Sequence, residues 1–157
     1  MTAITIDPTK VAEAIREEAK KVRGSLKIAA RAAAYRLKAY LIEETDRLGI
    51  TDRGIFKNSF VVSDVTVINE APHAGMVEMG TRPHHVGREG REALKAWCMR
   101  KLGLSEQEAE GASWAIAQKI AAVGTTGRFI FRDSLPKAYE FFQEELLFIL
   151  AKAGSGV

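Results

Sequence analysis

The sequence predicts an α+β fold: a small antiparallel β-sheet packed with a long N-terminal helix, a central helix pair and a C-terminal helix. Three observations predict it. Apolar residues recur every three or four positions from Val11 to Leu41, two short β-branched runs follow between Phe60 and Ile68, and three more helical stretches come after them, set off by glycines. At 157 residues the chain suits one domain over 1–157, with the long helix at 8–48, the β core and a loop at 50–90, helices at 92–123, and a closure with the C-terminal helix at 129–152. Hydrophobic residues make up 46% and charged residues 27%, enough apolar surface to exclude the disordered class.

After a short extended lead, Asp7-Pro8 reads as an N-cap followed by proline at the first helical position, where its missing N–H costs nothing. The stripe Val11, Ile15, Ala19, Val22, Leu26, Ala29, Ala33, Leu37 and Leu41 steps by three or four, and Gly49 behind Leu48 is the stop. Uninterrupted at Gly24-Ser25, such a helix is about 60 Å long, more than one domain of this size can cover. Part of the stripe therefore wants a partner. The alanines between Ala29 and Ala34 suit either a helix from another subunit or a small-residue contact inside the same one.

Phe60-Val61-Val62 and Val65-Thr66-Val67-Ile68, parted by Ser63-Asp64, read as a hairpin that Ala71-Pro72 ends. His73 to Met79 reads as one helical turn with Met76 and Met79 inward, and Gly80 to Gly90 as a loop. A helix over Glu92 to Lys101 turns Leu94, Trp97 and Cys98 to one face. Ser105 and Glu108 have capping-box spacing, so a third helix runs to Val123 with Ile116 and Ile120 inward, stopped by Gly124. Gly124 to Gly127 reads as a loop and Phe129-Ile130-Phe131 as extended. Asp133 caps a last helix with Leu135, Tyr139, Phe142, Leu146 and Ile149 on one stripe, and the tail from Ala153 frays.

A single cysteine, Cys98, excludes an internal disulfide and cysteine-based zinc sites, and reads as a small packing residue. No long uncharged apolar run and no basic start with an apolar stretch is present, so neither a membrane span nor a secretory signal is expected. His73, His84 and His85 invite a metal, but adjacent histidines rarely point at one ion and further ligands such as Glu78 would have to be brought in. A metal hydrolase is the weakest reading. Glu17-Glu18 and Glu144-Glu145 are neighbours on exposed helix faces, Gly87-Arg88-Glu89-Gly90 lacks the lysine of a phosphate loop, and no serine elbow exists. No catalytic centre and no cofactor site is expected.

Lysine and arginine number 23 against 20 acidic residues, a net charge of +3, too small by itself to indicate nucleic acid. The asymmetry lies in the first helix. Lys20, Lys21, Arg23, Lys27, Arg31, Arg36 and Lys38 fall there, and no acidic residue occurs between Lys20 and Tyr40. This is either a solvated face or a basic one, with Lys20, Lys21, Arg23, Lys27 and Arg31 its candidate residues; a small nucleic-acid-binding adaptor is the alternative function it suggests.

The segment Asn69-Glu70-Ala71-Pro72-His73-Ala74-Gly75-Met76-Val77-Glu78-Met79-Gly80-Thr81-Arg82-Pro83-His84 resembles the central motif of the neck, or tail-completion, proteins of long-tailed bacteriophages. Upstream, Arg53 to Val62 is similar to that family's Thr-Gly-x-Leu-x-x-Ser-x-x-Val segment. Downstream, Ala115 to Ile120 with Gly124 to Leu135 is similar to its helix, Gly-Thr loop and Pro-Phe-Leu-x-x-Ala closure. The three pieces come in the family's order. His73 stands for a usual tyrosine, Ile130 for a usual proline and Ser134 for a usual alanine.

The resemblance implies a non-enzymatic virion protein, assembled in the bacterial host cytoplasm. Copies would form a homo-oligomeric ring at the head–tail junction or upper tail, joining tail to head. Its partners would be other neck and tail proteins, such as a connector or stopper, a tail terminator or the tail tube. Genomic DNA would pass through the middle of the ring. The candidate interface residues are His73, Glu78, Gly80, Thr81, Arg82, Pro83 and His84. Gly75 and Gly80 permit tight turns that Pro72 and Pro83 bound, while Glu78 can accept loop N–H groups, pair with Arg82 or bridge to a neighbouring subunit.

Overall fold

A computed structural model describes residues 8–50 and 53–154, and its architecture is α+β as expected. The expected N-cap at Asp7 and the end of the tail lie outside the described residues. Helix α1 spans Pro8–Arg47 without a break at Gly24-Ser25. It closes with Ile50 N–H donating to Thr45 O at 3.1 Å, one residue beyond the usual helical partner. There follow α2 (Ile55–Asn58), β1 (Phe60–Ser63), β2 (Thr66–Asn69), α3 (Ala74–Met79), β3 (Gly80–Thr81), α4 (Arg88–Leu102), α5 (Glu106–Val123), β4 (Thr125–Thr126), α6 (Ile130–Asp133) and α7 (Leu135–Gly154). The strands make two two-stranded antiparallel sheets, β1 with β2 and β3 with β4.

The chain falls into two compact units. One holds α1 as far as Tyr40, Val62–Ile68 at the hairpin tip, and the chain from Leu135 onward; the other holds Leu41–Val61 and Asn69–Ser134. In the first, the buried residues are Ala29, Ala33, Ala34 and Phe141. Alanines at three- and four-residue steps put a smooth strip on α1, and this strip is covered within the chain. Arg36 lies 4.4 Å over the Phe141 ring and pairs with Glu144 and Glu145 at 2.6 and 3.0 Å, so it serves the α7 contact. Tyr40 meets the Phe141 ring edge-on at 6.2 Å. On α7 the expected stripe holds in part: Phe142, Leu146 and Ile149 are half-buried, whereas Leu135 and Tyr139 are 56% and 69% exposed, and Phe141 is the buried ring.

In the second unit the core combines Leu41, Phe56, Phe60, Ala71, Cys98, Ala109, Ala117 and Ile130. Phe56 and Phe60 pack edge to face at 5.4 Å, Phe131 lies 5.7 Å from Phe60, and His73 lies 6.1 Å from Phe56. Each buried phenylalanine removes apolar surface worth about 1.5–3 kcal/mol from water. Helices α4 and α5, joined by three residues, pack on each other, with Lys95 reaching Glu106 and Glu110 at 3.0 Å each. Helix α4 starts at Arg88, earlier than Glu92, because Gly87 in an extended conformation leads directly into it.

Other expectations fail for identifiable reasons. Met76 and Met79 point outward, 59% and 75% exposed, because α3 turns Val77 and Glu78 toward the unit instead. Gly80-Thr81 and Thr125-Thr126 pair as strands within stretches expected to be loop. Phe129-Ile130-Phe131 is not extended: α6 is a helical turn that Asp133 ends and does not cap α7. Tail residues Ala153 and Gly154 remain in α7.

The capping box of α5 forms as expected: the Ser105 hydroxyl accepts from Glu108 N–H and the Glu108 carboxylate accepts from Ser105 N–H at 2.9 Å. Hydrogen bonds from the Ser105 hydroxyl and backbone hold the Glu108 carboxyl below the ordinary glutamate range. A depressed pKa contributes stability that is complete above the ordinary glutamate range and lost as pH falls through the folded value. Ser105→Ala is expected to cost about 1 kcal/mol and to return the Glu108 titration toward normal. Thermal unfolding and a carboxyl NMR titration check both; an unmoved Glu108 midpoint would remove the cap as the cause.

Candidate functional site

The residues singled out between His73 and His84 meet the later Gly124–Leu135 segment in a closure built mostly from main chain. In α6 the first-turn N–H groups have no local acceptor, because Phe129 stands at the N-cap position and offers no side-chain cap. Glu78 supplies it from far along the sequence: its carboxylate accepts from Phe131 N–H and Arg132 N–H, each at 3.1 Å. Beside it, Arg128 N–H donates to Val77 O at 2.8 Å and Phe129 N–H to Glu78 O at 3.0 Å. Register then continues as Gly80 opposite Thr126 and Thr81 opposite Thr125. Of the three roles open to Glu78, the first is the one realised within the chain.

Three glycines make this approach possible, among them Gly127, where a Cβ would lie 2.5 Å from Glu78 O. A Cβ on Gly80 would lie 2.1 Å from Thr125 O, and one on Gly124 would lie 2.0 Å from Thr81 O; both residues have positive φ, +75° and +74°. The Thr81 hydroxyl accepts from Thr125 N–H at 3.2 Å and sits 3.0 Å from the Thr125 hydroxyl. Phe129 holds a left-handed backbone, φ 51°, uncommon for an aromatic residue, with the Arg132 guanidinium stacked 3.8 Å over its ring. Such a conformation persists where several bonds fix it from outside, as here.

Other motif residues also have internal partners. Asn69 donates from its amide to Phe56 O at 2.8 Å and accepts from Ala71 N–H at 3.0 Å, tying β2 to α2 and turning the chain into buried Ala71. His73, half-buried, uses its ring against Phe56, the part an aromatic would play. Ser134 is buried with its hydroxyl satisfied by Ile130 O at 2.6 Å.

Arg82, Pro83, His84 and His85 are exposed, as are Pro72, Gly75, Met76 and Met79. His84 Nδ1 lies 2.9 Å from Arg82 O, and the Arg82 guanidinium forms no ion pair among the described residues. The three histidines do not converge: among the described residues no three of His, Cys, Asp and Glu are placed to hold one metal ion. Cys98 is fully buried and forms no disulfide.

On α1 the candidate basic residues separate. Lys20, Arg23, Lys27 and Arg31 share one face, while Lys21 lies off it and pairs with Glu18 at 2.7 Å, a bond that raises its pKa. Lys27 reaches Asp64 at 3.2 Å. The apolar row of the same helix is uncovered toward its start: Val11, Ile15, Val22 and Leu26 are 45%, 63%, 53% and 40% exposed.

No family model, curated protein or solved structure matches the chain.

The closure sets its own test. Gly80→Ala forces a Cβ into Thr125 O at positive φ, and is expected to cost at least about 2 kcal/mol, a melting temperature lower by roughly 5 °C. Glu78→Ala leaves two N–H groups of α6 without acceptors and is expected to cost about 1–2 kcal/mol. By contrast Gly24, with nothing within 4 Å in the middle of α1, should gain about 0.5–1 kcal/mol as alanine. Calorimetry orders the three; a neutral Gly80→Ala would mean the two strands do not pair this closely.

Proposed function

We propose that the chain is a structural virion protein of a tailed bacteriophage, with no catalytic role, whose copies form a ring at the head–tail junction and join tail to head. The observation that carries this reading is the interlocking of the resembling segments. Arg53–Val62, Asn69–His84 and Gly124–Ser134 supply Phe56, Asn69, His73, Glu78, Gly80 and Thr125 to one continuous set of contacts. The motif residues thus have a common physical purpose, to fix a rigid turn that presents Arg82 to His85 outward.

The uncovered row on α1 supports the oligomer. Val11, Ile15, Val22 and Leu26 form a stripe about 22 Å long at 1.5 Å rise per residue, and a soluble chain gains by burying such a stripe against a neighbour. Among the described residues, the unit that bears it buries three alanines and a single phenylalanine, a small core. A stripe of one copy meeting a different surface of the next is a heterologous contact, the kind that closes into rings.

Native mass spectrometry over a concentration series, and electron microscopy of particles from the phage that encodes the chain, test the proposal. Oligomers are expected to grow with concentration or on the neighbouring ring. Ile15→Glu with Val22→Glu, both at exposed positions, should leave the melting temperature in place, reduce the chain to monomer, and let filled heads and finished tails accumulate unjoined. Arg82→Ala with His84→Ala should do the same to joining without touching the closure. A single monomeric subunit in intact virions would end the ring reading. Normal infectious yield from the loop variant would confine the joining surface to α1.

A further inference from the structure

The continuity of α1 through Gly24-Ser25 turns a run of basic residues into a track. Lys20, Arg23, Lys27 and Arg31 step by three, four and four, and Arg16 extends the row one step upstream, so all five fall on one face over about 22 Å. Each of the five is exposed. Arg16, Lys20, Arg23 and Arg31 form no ion pair among the described residues; only Lys27 is engaged, by Asp64 at 3.2 Å. No carboxylate interrupts the helix between Lys20 and Tyr40. Solvated helix faces ordinarily mix both signs, and the exposed ion pairs elsewhere in this protein, such as Lys137 with Glu140, follow that habit.

We propose that this face of α1 binds the phosphodiester backbone of a duplex nucleic acid. The side chains suit phosphate: the row holds only lysine and arginine, whose cationic N–H donors match phosphodiester oxygens. A bilayer surface is the less fitting polyanion. A helix lying in a membrane interface enriches its other face in tryptophan, phenylalanine and leucine, and of these the exposed row Val11, Ile15, Val22 and Leu26 holds one leucine and no aromatic residue. The track needs only one copy of α1, so it stands whether or not the protein forms a ring.

Fluorescence anisotropy of the full chain with 30-base-pair duplex DNA and duplex RNA tests it. Binding to either duplex is expected, with the two arms telling which is preferred. Neutralising about four phosphates predicts a logarithmic salt slope near −4, so affinity should fall on the order of 100-fold from 50 to 200 mM salt. Lys20→Gln, Arg23→Gln and Arg31→Gln together keep good helix formers in place and should weaken binding at least about 10-fold with helicity unchanged. The control Arg88→Gln, Lys101→Gln and Lys119→Gln removes the same charge at exposed positions of the other unit and should change little. Equal loss in the control would reduce the effect to net charge and overturn the assignment. So would failure to bind either duplex at 50 mM salt, or tighter, salt-insensitive binding to vesicles of anionic phospholipid.

Discussion

One carboxylate organises the centre of this protein. Helix α6 begins at Phe129 and Ile130, neither of which can accept a hydrogen bond through its side chain, so its opening N–H groups depend on a distant acceptor. Glu78 is that acceptor, and meeting it commits much else. To bring α3 beside α6, the two intervening main chains must pass within van der Waals reach, which glycine at Gly80, Gly124 and Gly127 permits. Once they do, the strand pairing, the threonine hydroxyl contact and the left-handed turn at Phe129 are fixed together. The phenylalanine cluster beneath then gains Phe131 as its outer member.

The long-period features were legible in the sequence. Steps of three and four give α1, α4, α5 and α7, and the serine–glutamate spacing gives the α5 cap, because these depend on near neighbours along the chain. The 3.6-residue period does not say which part of a stripe is covered. On α7 it favours Leu135 and Tyr139, yet Phe141 is the ring that Arg36 and Tyr40 enclose. Only the partner helix decides that.

The closure was legible in composition but not in form. Glycine, threonine and proline mark both segments as turns, and a two-residue strand has no periodicity to detect. Phe129-Ile130-Phe131 reads as β because aromatic and β-branched residues favour strands. It becomes helical because Glu78, 53 residues away from Phe131 along the chain, satisfies the donors a strand neighbour would have used. On α1 the sequence shows how many basic residues there are, whereas the geometry divides them: Arg36 turns to α7, Lys21 to Glu18, and the rest stay in line.

The alanine strip of α1 bears on how tightly the first unit holds together in time. Alanine gives up almost no side-chain entropy on burial, yet it also removes little surface from water, so its contacts are weak as well as smooth. Stability along α1 is therefore graded. Leu41 is fully buried in the phenylalanine-rich unit and Ile15 is exposed, so amide protons near Leu41 are expected to exchange through larger openings than those near Ile15. A neighbour that settled on the exposed end would select the helical state there by mass action, and the rigidity of the first half of α1 would then depend on the concentration of that neighbour.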